Sequence, residues 1–595
     1  MSEFHVTILL HQWDIKHPDF DAENLRHAGV THITLPIMWS RVETSDGIFD
    51  FGYYDPLIVS LTAAGFKLIL VLDAGGRPEF DDEGLEIPGS STLPHHIRSR
   101  PELLQTDFYG EIWLQISFAQ QEAVNSVALF FEKCVGHFGS RFREHIFAFG
   151  IGIQNELEIK YGQSGYRWRD YGGAIRQKFQ RETGHEAPVI DYGRSIAAQT
   201  VPVPAYGRWI RFRERALVEC ITRLGNIIRS AGFVSISYFG EFFSSHDAIM
   251  GLGVIGELSD VLDAAVVDYN FYDGWHNQSD PWKVPLLANY ARNIGYKYVF
   301  GGFYVERWRQ PVGEPGSPVD PAIFPVVAQS LFECRWHRLI DGMEIGGFGD
   351  MARDLRVLRT PMLNAAINHA PKRPLSTSCR RIGLFASHHT FEWFVGEHDH
   401  NINIHSEALT RSFAMFSAQD RYEIIVISEK TLFRRPEVID GLDAIYVPHQ
   451  PALPGEVRHA LTVFALRKLL IQDMRLGEWD ENGRYRADWL HGLFGIHGIE
   501  WANGGMFSIN GESVAMPASA VQAHSHALLL PLDGARVLAP SIEHPGLGLI
   551  VVTPNTIALG YVPALIEGRF AKKWQDTFLL TLDEALHKII KLPNS

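Results

Sequence analysis

The chain has 595 residues, 46% of them apolar and 21% charged, which describes a globular protein too long for one ordinary core. Its 54 basic and 69 acidic residues leave a formal charge of −15, which argues against nucleic acid or an anionic membrane as the main partner. No apolar run approaches the roughly 20 residues of a membrane span, and Met1-Ser-Glu-Phe-His5 has no leader pattern. Cys134, Cys220, Cys334 and Cys379 lie far apart with no CxxC pair, so the expectation is a cytoplasmic protein with reduced thiols and neither disulfide frame nor zinc site.

Short apolar runs bounded by turn residues predict eight strands: His5–Leu10, Ile33–Met38, Lys67–Leu72, Ile146–Ile153, Phe233–Phe239, Ala265–Asn270, Tyr298–Tyr304 and Gly342–Gly347. Helix-period segments lie between them, among them Asp55–Ala64, Glu122–Phe138, Arg208–Ala231 and Ala322–Leu339. Strand–helix alternation calls for a parallel sheet, and eight such units for closure into a (β/α)8 TIM barrel over residues 1–372. The runs are continuously apolar, as strands covered on both faces are. A doubly wound open sheet is disfavoured, because no Gly-rich phosphate turn follows the first strand.

Ala370-Pro-Lys-Arg-Pro-Leu-Ser-Thr-Ser378 reads as a domain seam. The pattern restarts after it. Strands are predicted at Arg381–Ala386, Glu423–Ser428, Asp443–Pro448, Leu469–Gln472 and Leu549–Thr553. Helices are predicted at Asn403–Ala418, Gly455–Arg467 and Trp574–Lys591. Residues 379–595 are therefore expected to form a flavodoxin-like α/β domain, with a β-rich insertion near 504–538.

The chemistry is carried by two glutamates. Glu156 follows Asn155 at the end of Ile146–Gln154, and Glu306 follows the run Lys297–Val305. A barrel gathers the C-terminal ends of its strands on one face. Two carboxylates there are the minimal equipment for hydrolysing a glycosidic bond: one protonates the leaving oxygen and the other attacks the anomeric carbon, about 5–5.5 Å apart in retaining enzymes. Their pKa values must differ so that one is protonated while the other is ionised. Glu156 is assigned as acid/base and Glu306 as nucleophile, with the Asn155 amide available to a sugar hydroxyl.

The chain resembles the clan A glycoside hydrolases, most closely the family 42 β-galactosidases. Met38-Trp-Ser-Arg-Val-Glu-Thr-Ser-Asp-Gly-Ile-Phe-Asp-Phe51 followed by Asp55 is similar to the segment after the family's second strand. Asn155-Glu156 resembles its strand-four pair, Glu306 its strand-seven nucleophile, and Asp268-Tyr-Asn-Phe-Tyr272 its strand-six segment. Ile471-Gln-Asp-Met-Arg-Leu-Gly-Glu-Trp-Asp-Glu-Asn-Gly483 resembles the amidotransferase-like domain that follows the family's barrel. The resemblance implies a retaining, exo-acting β-glycosidase without cofactor that assembles as a homo-oligomer, a trimer, through that second domain. The segment Gly346-Gly-Phe-Gly-Asp-Met351 departs from the aromatic-Trp-Arg ending of the family's eighth strand, so galactose specificity is not implied. A transglycosylase, or a carbohydrate-binding scaffold without activity, are the other readings.

Trp39, Trp275 and Trp308 fall just past strand ends, where a ring can either stack on sugar or cap the barrel core. Tyr272 is placed to donate to Glu306 and keep it ionised. Asp350 is either a sugar ligand or a helix N-cap. Glu241, after the fifth strand, is read as a positioning or structural group. His95-His96, His388-His389 and the run Glu397–His405 match no familiar metal spacing and are expected in solvated loops. An amidotransferase activity in the second domain is disfavoured, because Cys379 precedes its first strand and its third strand leads into Pro448-His-Gln-Pro451.

Overall fold

The computed structural model describes residues 4–16, 20–81, 85–154, 156–162, 168–189, 203–244, 248, 250–273, 280–307, 323–346, 364, 367, 379–393, 404–475, 477–519 and 525–591. The chain divides into two compact units. One comprises residues 1–193, 208–242 and 246–374, and the other comprises 194–207, 243–245 and 375–595.

The first unit is built on eight strands: β1 (His5–Leu9), β2 (His32–Met38), β3 (Lys67–Asp73), β4 (Ile146–Gly152), β5 (Val234–Phe239), β6 (Ala264–Asp273), β7 (Tyr298–Arg307) and β8 (Gly342–Gly346). Each pairs in parallel with its neighbours, and β8 closes on β1 with His5 opposite Gly342. Helices such as Asp55–Ala63, Gln121–Arg141, Lys283–Ile294 and Phe324–Trp336 follow individual strands. The strands read as apolar runs because both faces are covered: all seven residues of β2 are buried, as are six of the seven in β3. Close strand contact needs glycine in β4, where a Cβ on Gly150 would stand 2.7 Å from Val71 Cγ2.

Every one of the eight strands forms where the apolar runs place it, but β6 and β7 each continue three residues further than predicted. The two extensions pair with each other, Phe271 opposite Val305 and Tyr272 opposite Glu306. Glu306 is thus the penultimate residue of β7.

Thr34 of β2, Tyr238 of β5, Tyr304 of β7 and Glu344 of β8 meet through hydrogen bonds, which identifies their positions as facing the barrel interior. At the opposite, N-terminal end, His5, His32, Phe147 and Phe300 pack ring against ring at centroid distances of 4.7 to 6.0 Å. Burial, with His5 and Lys67 alongside, pushes the His32 imidazole down to about 3, so that ring is neutral.

The second unit holds a nine-stranded mixed sheet. Its parallel part comprises β9 (Arg380–Phe385), β10 (Tyr422–Ile427), β11 (Ala444–Val447), β12 (Leu469–Gln472) and, later in the chain, β16 (Thr556–Leu559). Their order, β10-β9-β11-β12-β16, is the 2-1-3-4-5 arrangement of flavodoxin-like sheets. Beyond β16 the sheet continues antiparallel through β15 (Gly548–Val552), β14 (His526–Pro531) and β13 (Ile496–Ala502), with Arg536–Pro540 paired on β15. The run 549–553, read as the last strand of the parallel set, is therefore an antiparallel neighbour, and the fifth parallel strand lies just after it. A separate hairpin, Gly505–Ile509 with Glu512–Met516, lies within the expected β-rich stretch.

Three expectations about histidines are corrected. His388, His389 and His405 are buried in the helices His388–Trp393 and Ile404–Ser417, packed on the rings of Phe243, Trp393 and Phe391, with His389 between Glu392 and Glu429 and His405 against His449. His95 and His96 start a short helix, His95 exposed and His96 only partly so. His398 and His400 lie outside the described residues. Cys134, Cys220, Cys334 and Cys379 are free thiols, and burial pushes Cys220 up to about 12. No described helix is long and apolar enough to cross a membrane.

Candidate active site

The C-terminal ends of the barrel strands carry the residues singled out from the sequence. After Gly152 the chain leaves the barrel wall in a tight turn. The Leu157 N–H bonds the Gln154 carbonyl at 2.9 Å, and the Glu156 N–H bonds Gln154 Oε1 at 2.7 Å. It rejoins β5 where Glu158 bridges to Tyr238 in parallel and the Ile159 N–H bonds the Tyr238 carbonyl. The chain thus bulges out of the barrel wall between Ile151, opposite Ser237, and Glu158, opposite Tyr238. Leu157 takes φ 67°, a left-handed conformation unusual for a branched side chain, and its buried side chain packs against Val71, Tyr238 and their neighbours.

Gln115, from the hairpin Leu104–Thr106 and Ile112–Ile116, pins the bulge at its base. Its Nε2 donates to the carbonyls of Ile153 (3.0 Å) and Lys160 (2.9 Å), and its Oε1 accepts from the Gly162 N–H (2.9 Å).

Glu156 is about one-third exposed, and its Oε2 lies 2.6 Å from the buried ammonium of Lys160. Lys160 also pairs with Glu158. Burial pushes the Glu158 carboxyl well above the carboxylate range, Lys160 pulls it back, and Asp268 and Glu156 push it further up. Asp268 lies on β6, and Gly240 provides the room between the two. A Cβ there would be 2.7 Å from Glu158 Oε1 and 3.5 Å from Asp268 Oδ1. Glu158 and Lys160 were not recognised from sequence, because the alternation Glu156-Leu-Glu-Ile-Lys160 is that of an ordinary amphipathic stretch, and Asp268 entered only as the first residue of the strand-six segment.

Beneath them sits Glu344, fully buried. It accepts from Thr34 Oγ1 (2.5 Å), Tyr304 OH (2.7 Å) and Tyr238 OH (3.1 Å). Burial raises its pKa and the three hydroxyl bonds offset part of that rise. A lone Glu inside Gly342-Met-Glu-Ile-Gly346 was the available signal for it.

At the ends of β1 and β3, Asp73 holds Arg77 (Nε to Oδ2, 2.7 Å), and Arg77 reaches His11 Nδ1 at 3.5 Å. Burial and the Arg77 charge lower the His11 pKa well below its ordinary value, so the imidazole is neutral beside the Asp73–Arg77 ion pair. Glu241, after β5, is ion-paired with Lys283, which supports the positioning or structural role.

Tyr272 and Glu306 occupy register positions of the same parity as Asp268 and Tyr304, at the site end of β6 and β7. Asn155, Trp275, Trp308 and Asp350 lie outside the described residues. Trp39 is fully buried, stacked on Phe130 at 5.5 Å, with its Nε1 donating to Glu43 Oε2 at 2.6 Å. It presents no surface on which a sugar could stack, so the expectation of substrate contact is corrected to a packing role.

Among the described residues one trio could approach a cation, namely Glu43, Asp46 and His96. Glu43 already accepts from Trp39 and from the Gly47 N–H at 2.8 Å, so the trio is an extension of a structural turn.

A family model described as β-galactosidase, glycoside hydrolase family 42, matches residues 9–181, the stretch from β1 through the bulge carrying Glu156. The chain is a clan A glycoside hydrolase related to family 42. Similarity of fold extends much further than that match. A cold-adapted β-galactosidase from Rahnella sp. R3 is 14% identical with a TM-score of 0.69, over 100% of this chain and 89% of that one. A β-galactosidase from the psychrophilic Marinomonas ef1 is 11% identical with a TM-score of 0.66, over 98% and 92%. The exo-β-1,4-mannosidase Op5Man5 from Opitutaceae bacterium strain TAV5 is 11% identical with a TM-score of 0.56, over 98% and 96%. No curated protein matches the chain in sequence. For this family 42 relative the structural likenesses establish that both units follow the fold of those enzymes.

Proposed function

We propose that the chain is a retaining, exo-acting β-glycosidase that removes terminal β-linked sugars, with Glu156 as acid/base and Glu306 as nucleophile. The observation that carries this reading is the position of the two glutamates, one in the bulge after β4 and one at the end of β7, on the same end of one closed barrel. In the first step the Glu306 carboxylate attacks the anomeric carbon while Glu156 gives its proton to the departing oxygen. In the second, Glu156 takes a proton from water, which displaces Glu306 and releases the sugar. Tyr272, opposite Glu306 in the register, is the expected hydrogen-bond donor to the nucleophile. Asn155, Trp308 and Asp350 remain the proposed contacts to the sugar. The β-galactosidases and the exo-mannosidase of like fold support a terminal β-pyranoside as substrate class. The second unit is assigned to assembly, with a trimer as the expected oligomer.

A panel of aryl β- and α-glycosides tests the reading. Turnover of a β-glycoside is expected, reduced at least about 1000-fold in Glu306→Ala. Glu156→Ala should still form a glycosyl-enzyme from an activated aryl glycoside and release it slowly. Near-normal turnover by Glu306→Ala would contradict the assignment.

A further inference from the structure

We propose that Lys160 is a positioning residue for the acid/base: its ammonium holds the Glu156 carboxyl in one orientation and sets the pH at which Glu156 loses its proton. The inference deepens the assignment of Glu156 and rests on it.

Lys160 is buried, its backbone is anchored by Gln115, and its Nζ stands 2.6 Å from Glu156 Oε2. A lysine that is nearly enclosed must be paired to remain charged. Among the described residues two carboxyls serve it, Glu156 towards solvent and Glu158 towards the barrel. The other titratable groups described around this trio are Asp268 on β6 and, behind Tyr238 of β5, Glu344 on β8.

The arrangement has a chemical consequence. A positive charge against Glu156 favours its ionised form. That assists the second step, in which Glu156 must act as a base, and narrows the pH range in which it acts as an acid. Glu158 moderates the effect. When ionised it neutralises part of the ammonium's field, and when protonated it leaves that field directed at Glu156. Burial and Asp268 favour its protonated form.

The test is the pH profile of kcat/KM for an aryl β-glycoside with a poor leaving group, which needs the acid. Lys160→Met should move the alkaline limb upward by roughly one pH unit, a shift limited by the partial exposure of Glu156. Lys160→Arg should keep the limb near its original position. With an activated leaving group the glycosylation step should be nearly indifferent to Lys160→Met, an outcome that general structural damage would not produce. An unmoved limb in Lys160→Met, in protein that melts as a folded enzyme, would overturn the inference while leaving the glycosidase assignment standing.

Glu158→Gln distinguishes the main rival. Retention of acid assistance supports Glu156 as the proton donor. Loss of assistance only with poor leaving groups would make Glu158 the donor and end the role given to Lys160. A readout independent of turnover is carbon-13 NMR titration of glutamate carboxyls, with Glu156→Gln identifying the signal. The Glu156 midpoint should rise in Lys160→Met, and an unchanged midpoint would refute the proposal even if no substrate were found.

Discussion

Trp39, Glu43 and Gly47 show what a family-like motif does in physical terms. Trp39 donates to one oxygen of Glu43, the Gly47 N–H to the other, and Gly47 supplies φ 72° at the tip of the small hairpin Glu43–Ser45 and Ile48–Phe49. The spacing was legible in the sequence, but its purpose was not, because a Trp past a strand end reads equally as sugar platform or core. Buried titratable groups were similarly hidden. In the second unit Asp473 accepts from the His449 N–H (2.7 Å) and Tyr446 OH (2.9 Å), and burial pushes its pKa up to about 8. His405 stands 3.0 Å from His449, and burial pushes it down to about 3. The two groups bias stability in opposite directions. Folded Asp473 keeps its proton up to about pH 8. The unfolded chain releases it near pH 4. Stability is therefore lost as pH rises across that window. Folded His405 stays neutral down to about pH 3. The unfolded chain protonates it below about pH 6.5, so stability is lost as pH falls. Asp473→Asn removes the first effect. The melting temperature of the variant relative to the parent should climb between pH 5 and pH 8, measured by scanning calorimetry. A flat difference would show that Asp473 is ionised in the folded protein.

At the scale of elements, strand positions were readable and strand ends were not. Apolar runs announce β1 to β8, but the extensions of β6 and β7 are made of Phe271-Tyr-Asp273 and Val305-Glu-Arg307, polar enough to read as loop. They remain strand because each supplies the other's backbone partners. The bulge after β4 depends on Gln115, some forty positions earlier in the chain, and no local pattern announces such a contact. Gln115→Ala removes three bonds to the bulge and leaves backbone groups of Ile153, Lys160 and Gly162 to find other partners. We expect a loss of about 2–3 kcal/mol in stability and at least a tenfold drop in kcat with a smaller change in KM. Denaturant titration and steady-state kinetics check the two halves separately. Unchanged kcat in a destabilised variant would mean that the bulge does not need this anchor to present Glu156.

Over the whole molecule, strand–helix alternation identified both sheets, because a parallel sheet must be covered by its crossovers and the coverage makes its strands apolar. Strand direction was harder. Residues 548–552 and 556–559 are both short apolar runs, and composition does not say that the first runs antiparallel and the second completes the 2-1-3-4-5 set. The catalytic account needs only the barrel, and its central claim is that Glu306 becomes covalently bound to the sugar. The most direct measurement is mass spectrometry after incubation with an activated 2-deoxy-2-fluoro-β-glycoside of the sugar the enzyme accepts. Cleavage after Lys297 and Arg307 isolates Tyr298–Arg307, in which Glu306 is the one carboxylate side chain. The account predicts one fluorosugar added to that peptide and none in Glu306→Ala. A label on the peptide holding Glu156 and Glu158, or inactivation without any covalent label, would contradict it.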